Sequence, residues 1–461
     1  MFQKLRALFA PRDMSEGTPW KRIAEFAFPM LIGNFAQQLY NTVDAVVVGN
    51  SRWGYTALAA VGNASPVLNL LLALFVGIST GAGILVSQYY GARDSKGLSR
   101  TIGNCLTVTA IASVIIMILG PMLTGPLLRA VGTLDSMFDG CRDYLNIFFY
   151  GIVGFFFYNM LSGVLRGLGD SVSALGFLLL AAALNVVLDL AFVSSMGVAG
   201  VALATVISQA ISAVFCYWKL AKMSDLFDLN LKTMRLIPHV AGRILKIGIP
   251  SGVTQAIMAM AGMVVLRLTN DMGKMVVACN VIIMRVDGFA MMPNFTFGQA
   301  MSVYTGQNVG AQKLDRVNMG TKQGSIIALS FATVITSVIL LFGPVLMGFF
   351  TDTPALIDLA TSMMRIMAVG YICIAVTQVL GGIMRGAGDT VTPMWISIIS
   401  TIIIRIPLAY FLAWLTQSPE YPHGQPIALY GSLMLSWVLG MVISIIVFRM
   451  GKWRQKMIQT A

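Results

Sequence analysis

Charge is scarce in this chain. Asp, Glu, Lys and Arg together make up 11% of its 461 residues, and the acids number 19 against 31 Lys and Arg. Histidine occurs twice, at His239 and His423, both outside the apolar stretches. There is no HExxH pair and no P-loop, so zinc proteolysis and nucleotide hydrolysis have no residues to use. The five cysteines (Cys105, Cys141, Cys216, Cys279 and Cys373) are odd in number and lack any CxxC spacing. They read as small residues of an apolar interior and not as a disulfide framework or metal site. The opening MFQKLRALFAPRDMSEGTPW has no small-residue cleavage site and reads as no removable signal.

What is abundant is apolar surface: 57% of the residues are hydrophobic, far above the soluble average. Apolar stretches of membrane-spanning length recur along the chain. Twelve spans are expected, at about 20–49, 56–89, 101–123, 137–163, 171–193, 198–221, 242–270, 276–308, 321–347, 358–384, 391–416 and 427–450. With both termini cytoplasmic, most of the 31 Lys and Arg fall on the cytoplasmic side, in RDSKGLSR, around KTMRLIPH and in RMGKWRQK. That asymmetry is the positive-inside pattern, and it accounts for the net charge of +12 without any nucleic-acid partner.

The chain is also a repeat. GVLRGLGDS (163–171) returns as GIMRGAGDT (382–390), 219 residues on, and QYYGAR (88–93) returns as QNVGAQ (307–312) at the same offset. FPM at Pro29 pairs with IPS at Pro250, and GPML at Pro121 with GPVL at Pro344. The expected fold is an all-α integral membrane protein with two six-helix lobes, 20–221 and 242–450. A cytoplasmic segment 1–19, a linker 222–241 and a tail 451–461 complete it. Six spans per lobe is an even number, so both lobes insert alike and their pseudo-two-fold axis runs along the membrane normal. Some secondary transporters are built this way, with sites between or within the lobes.

Three acids fall well inside spans: Asp44, Asp189 and Asp287. A carboxylate there costs at least about 3 kcal/mol and marks a functional candidate. In LIGNFAQQLYNTVDAVVVG, Asn34, Gln37, Asn41 and Asp44 are spaced 3, 4 and 3, on one helical face flanked by Gln38 and Tyr40. Such a stripe faces protein or a water-filled cavity, because lipid cannot satisfy it. Asn185 and Asp189, four apart, share a face, and the following span offers Thr205 on a surface rich in Gly and Ala. Two carboxylates with amide and hydroxyl oxygens suit Na⁺ or a proton; the alternative is that each Asp is held only by backbone or Asn partners. The second lobe does not repeat this set. IIRIPLAYF against LNVVLDLAF, with the offset shifted by one, places Arg405 opposite Asn185 and Ala409 opposite Asp189. The span after Pro250 carries Gln255 and no acid until Asp271.

Asp287, two residues from Arg285, cannot face it on a regular helix, so it either pairs with another helix or contacts substrate. The methionine doublets, including Met291–Met292, suit varied apolar ligands or simple membrane filling. Pro29 and Pro250 are kinks or hinges at matching places. The GxGD strings also occur in intramembrane aspartyl proteases, but the Tyr-Asp pair of those enzymes is missing. Arg, two glycines and Asp at a span end read instead as a helix terminus and tight turn.

YNTVDAVVVG, QYYGAR/QNVGAQ, RGLGD/RGAGD, LNVVLD and the duplicated layout together resemble the MATE family of multidrug and toxin extruders. MRVDGFAMMP resembles its bacterial MepA-like branch. The resemblance implies a transporter and not an enzyme. It exports bulky, often cationic and aromatic compounds from the cytoplasm by antiport with H⁺ or Na⁺, acts as a monomer in the bacterial cytoplasmic membrane and carries no cofactor. The cation or proton site corresponds to Asp44, Asn185, Asp189 and Thr205, with Tyr40 and Asn159 at associated positions. Met258 stands where the NorM branch carries an acid. Asn34, Gln37, Asn41, Asn159, Gln255, Arg285, Asp287, Met291 and Arg405 are the expected substrate-cavity residues. The alternative is a lipid-linked precursor flippase of the same superfamily, which Arg285 and Arg405 keep open.

Overall fold

The computed structural model describes residues 11–49, 54–130, 133, 135–229 and 233–457. It describes the side chains of all of these except 40–49, 54–60, 63, 66, 130, 136, 263, 456 and 457. Among the described residues the regular structure is entirely helical. The helices are α1 (Pro19–Gly49), α2 (Gly54–Gly91), α3 (Ser95–Ala130), α4 (Asp135–Tyr150), α5 (Ile152–Gly167), α6 (Ser171–Met196) and α7 (Val198–Ala221). They continue as α8 (Pro238–Asp271), α9 (Lys274–Gly310), α10 (Leu314–Gly348), α11 (Pro354–Gly386) and α12 (Val391–Ser397). A π-helical segment, Ile398–Arg405, leads into α13 (Ile406–Leu415), α14 (Ile427–Met450) and the short α15 (Lys452–Met457).

Ten of the described helical stretches are long and apolar enough to cross a membrane, and the pair Met137–Tyr150 and Ile152–Gly167, bent by 55°, makes an eleventh. The 31-residue α1 is the twelfth expected span, long enough at 1.5 Å per residue to cross about 30 Å of hydrocarbon. All five cysteines are buried and unbridged.

Two compact units form, and they do not divide in the polar linker. One comprises residues 1–13 and 28–252, the other 14–27 and 253–461. The divisions therefore fall inside α1 and α8, beside Pro29 and Pro250. The physical reason lies in small residues that bring backbones together. In the first unit Gly77 and Gly81 of α2 face Gly248 and Gly252 of α8, two Gly-x-x-x-Gly pairs in register. A Cβ on Gly248 would sit 2.5 Å from the Cα of Ile78, and one on Gly252 2.7 Å from the Cα of Leu74. Without a hydrophobic drive between helices in lipid, such close approach is what holds them. The linker also belongs to this unit: Ile237 N donates to Asn104 Oδ1 at 2.8 Å and Thr107 Oγ1 to Met234 O at 2.5 Å, tying it to α3.

The second unit holds the segment Met14–Ala27 in the same manner. Met14 N donates to Gln307 Oε1 at 2.8 Å, Asn308 Nδ2 to Met14 O at 3.2 Å, and Arg316 Nη1 to Gly17 O at 2.8 Å. The QNVGAQ copy thus holds Met14. In QYYGAR, Tyr89 instead accepts from Arg243 of α8 at 2.9 Å.

The repeated strings are turns, as their composition indicates. After α5, Asp170 N donates to Leu165 O and Gly169 N to Arg166 O, with Gly169 at φ +84°; after α11, Asp389 N and Gly388 N (φ +95°) bond Met384 O and Arg385 O alike. This is the Schellman arrangement, which calls for glycine at the left-handed residue. Each Asp then caps the next helix: Asp170 Oδ1 accepts from Ser173 N at 2.9 Å and Asp389 Oδ1 from Thr392 N at 3.2 Å. Burial pushes the Asp170 carboxyl above the usual carboxylate range; the Ser173 hydrogen bonds and Lys219, whose Nζ lies 3.7 Å from Oδ2, partly offset it. The one-residue shift between LNVVLDLAF and IIRIPLAYF also has a cause. α6 runs unbroken, whereas its counterpart absorbs one extra residue in the π segment Ile398–Arg405.

Gly77→Ala should lower the midpoint of thermal unfolding in detergent, because its Cβ would lie 2.8 Å from the carbonyl carbon of Ser251. Gly62→Ala, on the same helix with nothing within 4 Å, should be neutral or stabilise by about 0.5–1 kcal/mol.

Candidate coupling and substrate sites

On α6 only a narrow stripe faces protein. Ala174, Ala181, Asn185, Asp189 and Val193 are buried, while Val187 and Leu190 are more than 60% exposed on the lipid side. Asn185 and Asp189 are 1% and 0% exposed, so the polar pair lies on the protein-facing side. Across from it, α7 presents Gly200, Ala202 and Ala204, all buried. A Cβ on Gly200 would come within 2.7 Å of the Phe192 backbone, so α6 and α7 meet closely at this end. The hydrogen bonds follow: Asn185 Nδ2 donates to Thr205 Oγ1 at 3.2 Å, and Thr205 Oγ1 donates to Val201 O at 2.9 Å. Three of the expected coupling residues are thus held on two neighbouring helices. The Asn185 carbonyl oxygen, the Asp189 carboxylate and the Thr205 hydroxyl are hard oxygen donors, the chemistry that Na⁺ or a proton requires. Tyr40, Asn41 and Asp44 lie outside the described side chains.

The other first-unit residues are less concentrated. Asn34 is half-buried and Gln37 exposed on α1. Asn159 Nδ2 donates to its own helix at Phe155 O, 2.8 Å, and its carbonyl oxygen accepts from Ser79 at 2.6 Å.

In the second unit Asp287 has a definite environment. Tyr371 Oη of α11 donates to its Oδ1 at 2.8 Å, and the Arg405 guanidinium acts on it electrostatically. Arg285 is exposed, as expected for a residue two positions away. Tyr371 is fully buried, lies 5.7 Å from Trp437 with the rings tilted by 45°, and receives Asn294 Nδ2 at its carbonyl, 3.3 Å. Sequence reasoning missed it: one tyrosine in an apolar span 84 residues from its partner carries no spacing signal. Gln255 is exposed, and Met291 packs against the apolar core of this unit. Ala409, opposite Asp189 in the repeat, is also fully buried.

The MatE family profile matches residues 29–191 and, a second time, residues 250–411. The chain belongs to the MatE family. Its two matched blocks begin at Pro29 and Pro250, the positions that the repeat pairs. Among curated MATE relatives, the "Probable multidrug resistance protein YpnP" of Bacillus subtilis is 30% identical over 445 residues, covering 96% of this chain and 97% of that one. The "Multidrug export protein MepA" of Staphylococcus aureus is 23% identical over 373 residues, covering 80% and 82%. A solved outward-facing multidrug resistance MATE transporter of the MOP superfamily superposes with a TM-score of 0.87 at 24% identity, covering 95% and 96%. A MATE structure in a bent conformation gives 0.88, covering 96% and 98%. This MATE protein is therefore a multi-pass membrane transporter with the family's duplicated fold, and not an enzyme.

Tyr371→Phe should cost about 1–3 kcal/mol, because it removes the hydroxyl that donates to the Asp287 carboxylate. In a double-mutant cycle with Asp287→Asn, thermal unfolding should show coupling of about 1 kcal/mol or more. Additive effects would remove Tyr371 from the site.

Proposed function

We propose that this MATE protein exports bulky, often cationic and aromatic compounds by antiport, with H⁺ or Na⁺ coupled at Asp44, Asn185, Asp189 and Thr205 of the first unit. One observation carries the reading. Asp189 and its repeat counterpart Ala409 are both fully buried, so the fold accepts alanine at that place and does not need a carboxylate for packing. A buried acid that packing does not require, in a segment where it costs about 3 kcal/mol, is kept for a task. The printed names of YpnP and MepA support drug export as that task.

In this reading, an ion entering from outside occupies the Asp189 pocket and shifts the equilibrium between outward-open and inward-open states, weakening the hold on drug when the cavity faces outward. Release of the ion to the cytoplasm resets the cycle. The energetics constrain it. One proton moved down one pH unit supplies about 1.4 kcal/mol, and each net charge moved through 100 mV supplies about 2.3 kcal/mol. A one-for-one exchange with a monovalent cationic drug cancels the electrical part, leaving roughly tenfold accumulation per pH unit.

In proteoliposomes, a pH gradient or a sodium gradient imposed alone should energise ethidium efflux, and whichever succeeds names the ion. Asp189→Asn and Asp189→Ala should abolish gradient-driven efflux while the protein keeps its unfolding midpoint within a few degrees. Full efflux by either variant would remove Asp189 from coupling.

A further inference from the structure

The stretch before α1 is held by its backbone. Met14 and Ser15 are buried, at 0% and 4% exposure. Met14 N donates to Gln307 Oε1, and Met14 O accepts from both Asn308 Nδ2 and Arg316 Nη2. Ser15 O accepts from Lys313 Nζ at 3.0 Å, Gly17 O from Arg316 Nη1 at 2.8 Å, and Trp20 N donates to Gln323 Oε1 at 2.9 Å. The holding side chains are themselves braced: Arg316 Nε donates to Asn308 Oδ1 at 3.0 Å, and Tyr304 Oη donates to Arg316 O at 2.7 Å. They come from the end of α9, the turn after it and the opening turns of α10.

The stretch before α8 is its counterpart in the repeat, for α1 and α8 both open on proline, Pro19 and Pro238. It is seated differently. A Cβ on Gly103 of α3 would collide with the carbonyl oxygen of Thr233, so the linker backbone lies directly on that helix. The short side chains of Thr107 and Asn104 then fix Met234 and Ile237. At the offset of 219 set by QYYGAR and QNVGAQ, α10 has Lys322 in place of Gly103, Gln323 in place of Asn104 and Ile326 in place of Thr107. Lys322 and Ile326 are both exposed. Without that glycine and that hydroxyl, residues 14–17 are reached by long side chains. The cationic ones have no equivalent in the first copy, where Gly97 stands opposite Arg316 and Asp94 opposite Lys313.

The two seats differ in what release costs. Lifting the linker off α3 separates two backbones in direct contact, and close approach is what holds helices in lipid. Lifting residues 14–17 exchanges side-chain hydrogen bonds for bonds to water, at an end of the protein where Lys313, Asp315 and Lys322 are exposed. The one apolar side chain given up is Met14, which is unbranched and flexible. The consequence bears on α1, which starts in the second unit and from Phe28 onward belongs to the first. When a transporter changes the side to which it opens, such a helix either bends along its length or comes away at its start. We infer that residues 14–17 are a releasable latch: docked, they hold the start of α1 on α9 and α10, and their detachment from Gln307, Asn308 and Arg316 is a step of each transport cycle. The inference rests on the transporter fold and on no particular ion or drug.

Hydrogen exchange of the full-length protein in phosphatidylcholine nanodiscs, read at single amides, needs neither gradient nor drug, so it can fail while ethidium efflux succeeds, and the reverse. Corrected for intrinsic rates, the Met14 and Trp20 amides should exchange about tenfold or more faster than the Ile237 amide of the seated linker. Arg316→Gln should raise the Met14 rate further and leave Ile237 unchanged. A second measurement traps the detached state. Ser15→Cys keeps the backbone contacts, and N-ethylmaleimide reaches a thiol there only when the segment is out. The five native cysteines are buried, and the wild type treated alike is the control. In proteoliposomes at rest, Ser15→Cys/Arg316→Gln should label several-fold faster than Ser15→Cys. Completely labelled Ser15→Cys should lose most of its ethidium efflux, because the adduct blocks re-docking. Exchange at Met14 as slow as at Ile237, or undiminished efflux after complete labelling, overturns the latch. If unlabelled Ser15→Cys does not transport, the exchange measurement decides.

Discussion

Hydrocarbon offers no hydrogen bonds, so each polar group carried into the membrane must find its partner inside the protein. On α6 that constraint confines Asn185 and Asp189 to the few positions that touch another helix, while Val187 and Leu190 face lipid. It also requires the backbones of α6 and α7 to come close, since Thr205 can accept from Asn185 only across a surface of Gly and Ala. Small residues and polar residues thus act together. The first let helices approach, and the second need that approach to be satisfied.

The same requirement shows why some features were legible in the sequence and others were not. RGLGD and RGAGD could be read as turns because glycine, its left-handed backbone and the capping Asp are neighbours along the chain. Spans and the repeat were equally legible, being matters of length and of order. The division of the units was not. It depends on Gly77 and Gly81 meeting Gly248 and Gly252, and a glycine spacing does not name its partner helix. The linker 222–241 looked like a boundary because it is polar, yet its backbone is bound to Asn104 and Thr107 of α3. Tyr371 escaped for the same reason: its bond to Asp287 exists only once α9 and α11 are packed.

Duplication supplied two copies of one helical plan, and their polar interiors have since diverged. Where the first unit has Asn185 and Asp189, the second has Arg405 and Ala409, with a π segment absorbing the extra residue between the turn and this position. The sign of the charge at this level has reversed. Arg405 is within electrostatic reach of Asp287 on α9, whose Oδ1 accepts from Tyr371, while its own Nε is buried without a hydrogen-bond partner among the described residues. The acid Asp287 on α9 is likewise particular to the second copy, for the first unit has the apolar Leu68 at the equivalent offset.

Ser162 and Gly381 carry that logic a step further: Arg166 Nη1 donates to Ser162 Oγ at 2.8 Å, and the repeat sets Gly381 opposite Ser162, beside Arg385. Both arginines are fixed by the same turn and favoured by the same helix dipole, so neither position alone explains a difference in chemistry. Removing one hydroxymethyl group from the second copy deprives Arg385 of its intrahelical partner and opens space beside it. Had apolar side chains closed that space, the guanidinium would have been left desolvated and unanswered. The neighbouring positions are instead serine and threonine, which keeps the surroundings of Arg385 polar where the first copy has leucine and alanine.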